Sequence, residues 1–168
     1  MRAKGETAAE EVRWLDAREL DAWLALAGLM TRLPALLDAQ LQQDAGLTFF
    51  DYMVLASLSG APDRTLQMSE LAAMTSASLS RLSHAATRLE RQGYLTRTRC
   101  TGGIGRATNA TLTTSGLAKI EAAAPGHVRA VRELIFDTLS SQDVTALTRI
   151  GQRVRPRLDP QDTLPHLS

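Results

Sequence analysis

Residues 69–113 combine two short helical patterns with a hairpin pattern that is rich in arginine. The first helical pattern begins with an expected cap at Ser69, and the second runs from Ser78 until Gly93 stops it. Two strand-like stretches then flank a glycine-rich tip at 101–106. Two helices joined by a short turn are typical of proteins that place one helix in the DNA major groove. A basic hairpin directly behind such a pair is a wing, so this segment predicts a winged helix-turn-helix.

The distribution of charge favours nucleic acid as the partner of this segment. The whole chain has a formal net charge of only +1. Residues 1–63 have a net charge of −5, residues 64–106 of +5 and residues 107–168 of +1. A basic block in a nearly neutral protein indicates a surface that binds phosphate, although a charge run can also be a solvated face. Here the basic residues are all arginines and coincide with the second helix and the hairpin, which favours DNA.

Length and composition predict a single domain in a reducing, cytoplasmic environment. With 168 residues the chain can bury a core without disulfide support, and its single cysteine, Cys100, excludes an internal disulfide. The sequence has no run of about eighteen apolar residues, so we expect no membrane span. The first residues are mixed and charged, which predicts a flexible arm over 1–16 and no secretory signal.

Long helical patterns flank the winged segment on both sides. Apolar residues recur every three or four positions over 17–43, where Pro34 is expected to bend or split the helix. Thr48 caps the next helix, and another helical pattern runs from about 114 toward 139. Residues 140–143 have the form of a capping box that opens a last helix.

The expected fold class is therefore mainly α with a small β-hairpin wing. We expect one domain over 17–155, with the winged helix-turn-helix at about 48–113, dimerisation helices at 17–43 and 114–155, and a flexible tail at 156–168. The flanking helices have apolar faces that the small winged segment does not cover, and such faces suit a two-fold dimer interface. A dimer of this kind places two DNA-contacting helices about one turn of DNA apart. The alternative is that the flanking helices cover the core of a monomer.

Candidate DNA contacts lie on the second helix of the pair. Ser78 is the expected N-cap, which leaves the first amides of the helix facing outward toward a phosphate. Ser80, Arg81, His84 and Arg88 share the face opposite the leucines and alanines of this helix. Arg81 can fork onto a guanine. His84 either meets a base edge or a phosphate, or is an ordinary exposed histidine.

The hairpin adds three arginines to these candidates: Arg97, Arg99 and Arg106. The glycine-rich tip allows a tight turn, which leaves Arg106 near the end of the wing. A narrow minor groove attracts arginine because it concentrates negative potential. The sequence does not separate insertion of these arginines into the minor groove from plain phosphate contact.

These residues together resemble the MarR family of transcriptional regulators over roughly 17–155. The resemblance is carried by the stretches 46–52, 68–72, 78–84, 88–94, 105–106 and 112–116. It implies a homodimer, held by N- and C-terminal helices, that binds an inverted repeat near a promoter, usually as a repressor. It also implies release of the DNA when a phenolic or other small lipophilic ligand enters a cleft between the dimerisation and DNA-binding parts. Other members sense oxidants through cysteine.

Two features of the chain bear on the wing and on the ligand cleft that the resemblance implies. The family usually has an acidic residue that orients the wing arginine, but Ile104 stands there, so Arg106 is either less fixed or held by backbone carbonyls of the glycine-rich tip. Trp23, Phe50 and Met53 are candidates for the ligand cleft, although apolar residues at helical spacing usually form a core.

Cys100 lies next to Arg99, and a cationic neighbour favours the reactive thiolate, which suggests a redox switch near the DNA. With no second cysteine in the chain, any disulfide would form with another molecule. The alternative is that Cys100 is a half-buried structural residue of a strand.

An enzyme and a protein-binding winged helix are the competing functions. The histidines are scattered, and no Cys or His pair has the spacing of metal ligands, so no catalytic, cofactor or metal site is predicted. A winged helix that binds protein partners and not DNA does not account for the arginine block. We therefore expect a dimeric, sequence-specific regulator whose partner is palindromic double-stranded DNA.

Overall fold

The computed structural model describes residues 12–99 and 107–159. Contacts divide the chain into two units, Met1–Leu33 and Pro34–Ser168. The described residues form helices and strands in the order α1 (Ala17–Ala45), α2 (Phe49–Ser59), β1 (Thr65–Gln67), α3 (Met68–Met74), α4 (Leu79–Arg91), β2 (Leu95–Arg99), β3 (Thr108–Leu112), α5 (Thr114–Leu134) and α6 (Ser141–Leu158). This is the predicted fold class, mainly helical with a small antiparallel sheet.

The first unit contains the beginning of α1 and presents many large apolar side chains to solvent. Those exposed on α1 in this unit are Leu20, Trp23, Leu24, Leu26, Leu29 and Met30. By length and mean hydropathy alone α1 is long and apolar enough to cross a membrane, whereas the sequence led us to expect no membrane span. A helix that packs its apolar face against a protein surface has the same composition.

The core of the second unit is built from leucines of α1, α2, α3 and α4 together with the sheet. Fully buried members include Leu41, Leu55, Leu58, Leu71, Leu82 and Leu89. The predicted start of α2 at Thr48 is confirmed, because the Thr48 Oγ1 accepts from the Asp51 amide and the Asp51 carboxylate accepts from the Thr48 amide. This reciprocal cap satisfies two amides that the helix itself leaves without partners.

The wing is part of a three-stranded antiparallel sheet with the strand order β1-β3-β2. Leu95 of β2 lies opposite Leu112 of β3, and Leu66 of β1 lies opposite Ala110. All four side chains are buried, so one face of the sheet closes the core. The hairpin predicted from the sequence is confirmed, and β1 extends it on the side of β3.

Three local predictions differ from the structure. Ser69 does not cap α3, because that helix begins at Met68, directly after β1, and its N-cap Gln67 makes no side-chain cap bond. Of the two effects expected of Pro34, splitting is wrong, because Pro34 lies inside the single helix α1: a proline removes only one helical hydrogen bond and its neighbours continue the ladder. The last helix does not stop near Arg155 but continues to Leu158, and the Asp159 amide donates to the Arg155 carbonyl.

The start of α5 lies directly against the turn between α4 and β2. Thr113 caps α5, accepting from the Gly116 amide, and its hydroxyl donates to the Gly93 carbonyl over 2.6 Å. A Cβ atom on Gly116 would lie 2.0 Å from the Tyr94 carbonyl oxygen, so only glycine allows this approach. The capping box predicted before α6 is confirmed between Ser140 and Asp143.

Several predictions concern residues outside the described ranges. They are the greater part of the N-terminal arm, the redox candidate Cys100, the tip with Ile104 and Arg106, and the end of the tail.

Candidate nucleic-acid interface

Helix α4 is the second helix of the helix-turn-helix, and we call it the recognition helix. It has an apolar face and a polar face, as the sequence predicts. Its leucines and alanines at 82, 85, 86 and 89 are buried in the core. Ser80, Arg81 and His84 are exposed on the other side. A helix held by one face and polar on the other can enter a groove without disturbing the core.

The first turn of α4 is capped as predicted. The Oγ of Ser78 accepts from the Arg81 amide over 3.2 Å. The amides of Leu79 and Ser80 precede that bonded amide and have no acceptor within the helix by geometry. Together with the partial positive charge of the helix start, they suit a phosphate oxygen.

Arg81 lies over the aromatic ring of Phe50 on α2. The Cζ atom of Arg81 is 4.2 Å from the ring centroid, a cation–π distance. Such a contact at a partly exposed site contributes about 0.5–1 kcal/mol. The ring of Phe50 therefore holds the Arg81 guanidinium beside α2.

Arg88 is held by a carboxylate of the preceding helix. Its Nη2 donates to Oδ1 of Asp51 over 2.5 Å, and about half of the Arg88 side chain remains accessible. Asp51 is 3% exposed and is the one buried charged residue among those described. A buried carboxylate requires such a partner, so Arg88 has a structural role besides any contact with DNA.

Arg97 pairs with Glu90 between β2 and the end of α4, with two guanidinium nitrogens on one carboxylate oxygen and its backbone amide on the other. Its Nε and Nη2 donate to Oε2 of Glu90 over 3.0 and 2.7 Å, and Nη2 also donates to Thr87 Oγ1 over 3.1 Å. The hydrogen bond from Arg97 holds the pKa of the Glu90 carboxyl below its ordinary value. The pair fixes the wing to the recognition helix, which points to a positioning role for Arg97.

Arg99 lies at the end of β2, opposite Thr108 of β3, and its side chain is exposed. The structure thus separates the two wing arginines that it describes. Arg97 faces inward onto α4, whereas Arg99 is available at the outer part of the hairpin.

A cavity of about 870 Å³ opens beside the recognition helix within the second unit. Its lining includes Asp38, Phe50, Met53, Arg81, His84 and Arg88. Two of the three sequence candidates for a ligand cleft, Phe50 and Met53, therefore line it. Trp23 is not among its lining residues and is half exposed in the first unit.

Sequence reasoning did not identify Asp51 and Glu90, the carboxylates that hold Arg88 and Arg97. Asp51 carried a usable signal, because it follows Thr48 by three positions, the spacing of a capping box. For Glu90 the sequence offers no signal other than a charge opposite to that of Arg97.

Comparison with known proteins gives a family assignment. The MarR family model matches residues 45–103. The chain is 39% identical to Sco3205, a MarR family transcriptional regulator from Streptomyces coelicolor solved in complex with DNA; 92% of this chain and 96% of that chain are covered, with a TM-score of 0.84. It is 35% identical to AbsC, another MarR family regulator from Streptomyces coelicolor, with 89% and 100% covered and a TM-score of 0.81.

A third structure shares the fold at lower identity. CouR from Rhodococcus jostii RHA1, solved with p-coumaroyl-CoA bound, is 17% identical, with 88% of this chain and 98% of that chain covered and a TM-score of 0.71. A comparison with curated protein sequences gives no match. The identity to Sco3205 and AbsC over nearly the whole chain is decisive, and the chain belongs to the MarR family of transcriptional regulators, with the DNA-binding winged helix of that family.

Proposed function

We propose that this regulator is a homodimeric repressor that binds an inverted-repeat operator, with α4 in the major groove and the wing on the neighbouring backbone. The observation that carries the proposal is the division of α4 into a buried apolar face and an exposed face with Ser80, Arg81 and His84. Sco3205, which is 39% identical, was solved in complex with DNA. A regulator of this kind acts in the cytoplasm, where the DNA is.

The proposed contacts divide into base reading and backbone positioning. Arg81 is assigned to a guanine edge, and Ser80 and His84 to base edges or phosphates beside it. Ser78 and the free amides of the first turn are assigned to a phosphate. Arg99 is assigned to the backbone with Arg106, which lies outside the described residues, while Arg88 and Arg97 act mainly by holding α2, α4 and the wing in place.

Exposed apolar surface supports the homodimer. Helix α6 presents Leu147, Ile150, Val154 and Leu158 to solvent, at the three- and four-residue spacing of one helical stripe. In the first unit, α1 presents its own apolar residues. Large apolar surfaces on a soluble protein mark protein interfaces, and a two-fold operator is read by a two-fold dimer.

The cavity beside α4 supports release of DNA by a small lipophilic ligand. Phe50 and Met53 supply apolar lining, whereas Arg81 and His84 come from the face of α4 that is assigned to DNA. A ligand that holds these two side chains in the cavity would compete with their contacts to bases. CouR, which shares the fold, was solved with p-coumaroyl-CoA bound.

Selection of bound duplexes from a random pool tests the operator. We expect an enriched inverted repeat whose half-site centres are about ten base pairs apart. Salt-sensitive binding to every duplex without enrichment would contradict sequence-specific reading. Failure to bind any duplex at low salt would favour a winged helix that contacts proteins.

Sedimentation of two α6 variants tests the dimer. Ile150→Glu places a charge in the apolar stripe, and we expect it to produce monomers and to weaken operator binding at least tenfold. Thr145→Glu places the same charge on the opposite side of α6 and is expected to leave the dimer intact. A wild-type monomer, or equal behaviour of the two variants, would contradict this interface.

A further inference from the structure

Leu79, the first residue of α4, is an exposed apolar side chain at the border between the buried and the polar faces of this helix. It is 58% exposed, whereas Leu82 and Leu89 of the same helix are 0% exposed. Its neighbours Ser78 and Ser80 are also exposed. Leu79 therefore contributes little to the core and lies in the turn of the helix that is closest to bases in proteins of this kind.

The position of Leu79 around the helix is at the edge of the outward face. Successive helical residues are rotated by about 100°, so Leu79 lies about 70° from the middle of the face formed by the buried leucines and alanines. Ser83, one turn later, is on the same side and is exposed. Leu79 thus borders the surface assigned to DNA on one side, and Arg81 borders it on the other.

The major groove offers one apolar group on the base edges, the C5 methyl of thymine. We propose that Leu79 reads a thymine in each half-site by packing against this methyl group, an assignment that rests on the proposed binding of DNA by α4. Arg81 and Leu79 then specify two different bases from the two borders of one helix face. The leucine side chain is large and apolar enough to pack against this methyl group, whereas a serine in its place would be too small and too polar.

Replacement of thymine by deoxyuridine tests this assignment, because it removes the methyl group and leaves every hydrogen-bonding group of the base pair in place. Each thymine of the selected operator is replaced in turn, symmetrically in both half-sites. For the wild-type protein we expect one position where the replacement weakens binding about fourfold per half-site, the effect of one buried methyl-sized group. For Leu79→Ala we expect the same replacement to change binding less than twofold.

Thr145→Ala is the control, since Thr145 is exposed on the side of α6 opposite the apolar stripe. Its ratio of thymine to deoxyuridine affinity should equal that of the wild type. The assignment is overturned if the wild type is indifferent to every replacement, or if Leu79→Ala keeps the full deoxyuridine penalty. A change in oligomeric state on Leu79→Ala would also overturn it, by placing Leu79 in a protein interface. Failure of the wild type to bind any operator would instead count against the proposed function itself.

Discussion

Arg88 of α4 donates to the buried carboxylate of Asp51 on α2, with 2.5 Å between Nη2 and Oδ1. The other oxygen of Asp51 accepts from the Thr48 amide at the start of α2. One carboxylate therefore both caps a helix and fixes the recognition helix to it. Removing Arg88 leaves one oxygen of this buried carboxylate without its charged partner.

We expect Arg88→Ala to lower the free energy of unfolding by about 1–3 kcal/mol, because Asp51 then loses a charged hydrogen-bond partner. The loss should stay below that of a fully buried ion pair, since half of the Arg88 side chain reaches solvent. Urea denaturation measures it. Arg91→Ala, at an exposed position in the last turn of α4, is the control and should change stability by less than about 0.5 kcal/mol. Equal stability of the two variants would show that the ion pair contributes nothing.

Variants of Arg81 and Phe50 distinguish the contact of Arg81 with a base from its stacking on the Phe50 ring. Arg81→Ala should cost about 1–3 kcal/mol of operator binding and relax the base preference at one position in each half-site. Phe50→Leu keeps the apolar lining but removes the ring, so Arg81 no longer has to leave a cation–π contact. We expect this variant to bind the operator equally well or up to about fivefold more tightly. Intact affinity and specificity in Arg81→Ala would show that Arg81 does not read a base.

The salt dependence of binding distinguishes the two described wing arginines. Arg99→Ala should lower the slope of log affinity against log salt by about one for each arginine removed. Arg97→Ala should leave the slope nearly unchanged, because its guanidinium is paired with Glu90. Titration of an operator duplex at several salt concentrations measures both. A flattened slope in Arg97→Ala would mean that Arg97 contacts phosphate directly.

Because His127 is partly buried, we expect the folded protein to lose stability in mild acid. Its ring lies 4.3 Å from that of Tyr52 between centroids, and its Nδ1 is buried without a hydrogen-bond partner among the described residues. Burial lowers the pKa of His127 below its ordinary value. The unfolded chain therefore takes up a proton first as pH falls below about 6.5, and stability declines from there toward the lowered pKa of the folded state.

Denaturation at pH 8 and at pH 5.5 checks this expectation. His127→Phe keeps a ring against Tyr52 but cannot be protonated, so its stability should fall less between the two pH values than that of the wild type. His84→Ala, which changes an exposed histidine, should retain the wild-type difference. A His127→Phe protein with the full decline would assign the pH dependence to other groups.

The sequence predicts the elements well because their boundaries depend on local signals. Ser78 precedes a run of leucines at helical spacing, and Gly93 ends that helix with a φ of +76°, a conformation that favours glycine. Met68 shows where such signals fail. Serine is a favoured N-cap residue, but the chain passes from β1 into α3 without a side-chain cap, and Ser69 lies two positions after the actual N-cap, Gln67.

The candidate site is predictable as a list of arginines but not as a set of contacts. Arg88 and Asp51 are 37 positions apart in the sequence, and only the packing of α2 against α4 makes them a pair. The helix face assigned Arg88 to DNA and the hairpin assigned Arg97, although each faces a carboxylate of the same chain. The apolar pattern likewise grouped Trp23 with Phe50, since periodicity identifies a helix face but not the cavity that the face lines.

The close approach at Gly116 bears on how far apart two recognition helices stand. With no side chain between the start of α5 and the Tyr94 carbonyl, and with the Thr113 amide donating to that carbonyl over 3.1 Å, the backbones of α5 and of the α4–β2 turn meet directly. A tilt of α5 at this end must carry the reading helix and the wing with it. In the proposed dimer, the orientation of α5 would then set the distance between the two recognition helices. The spacing of the operator half-sites would thus depend on Gly116, a residue without a side chain.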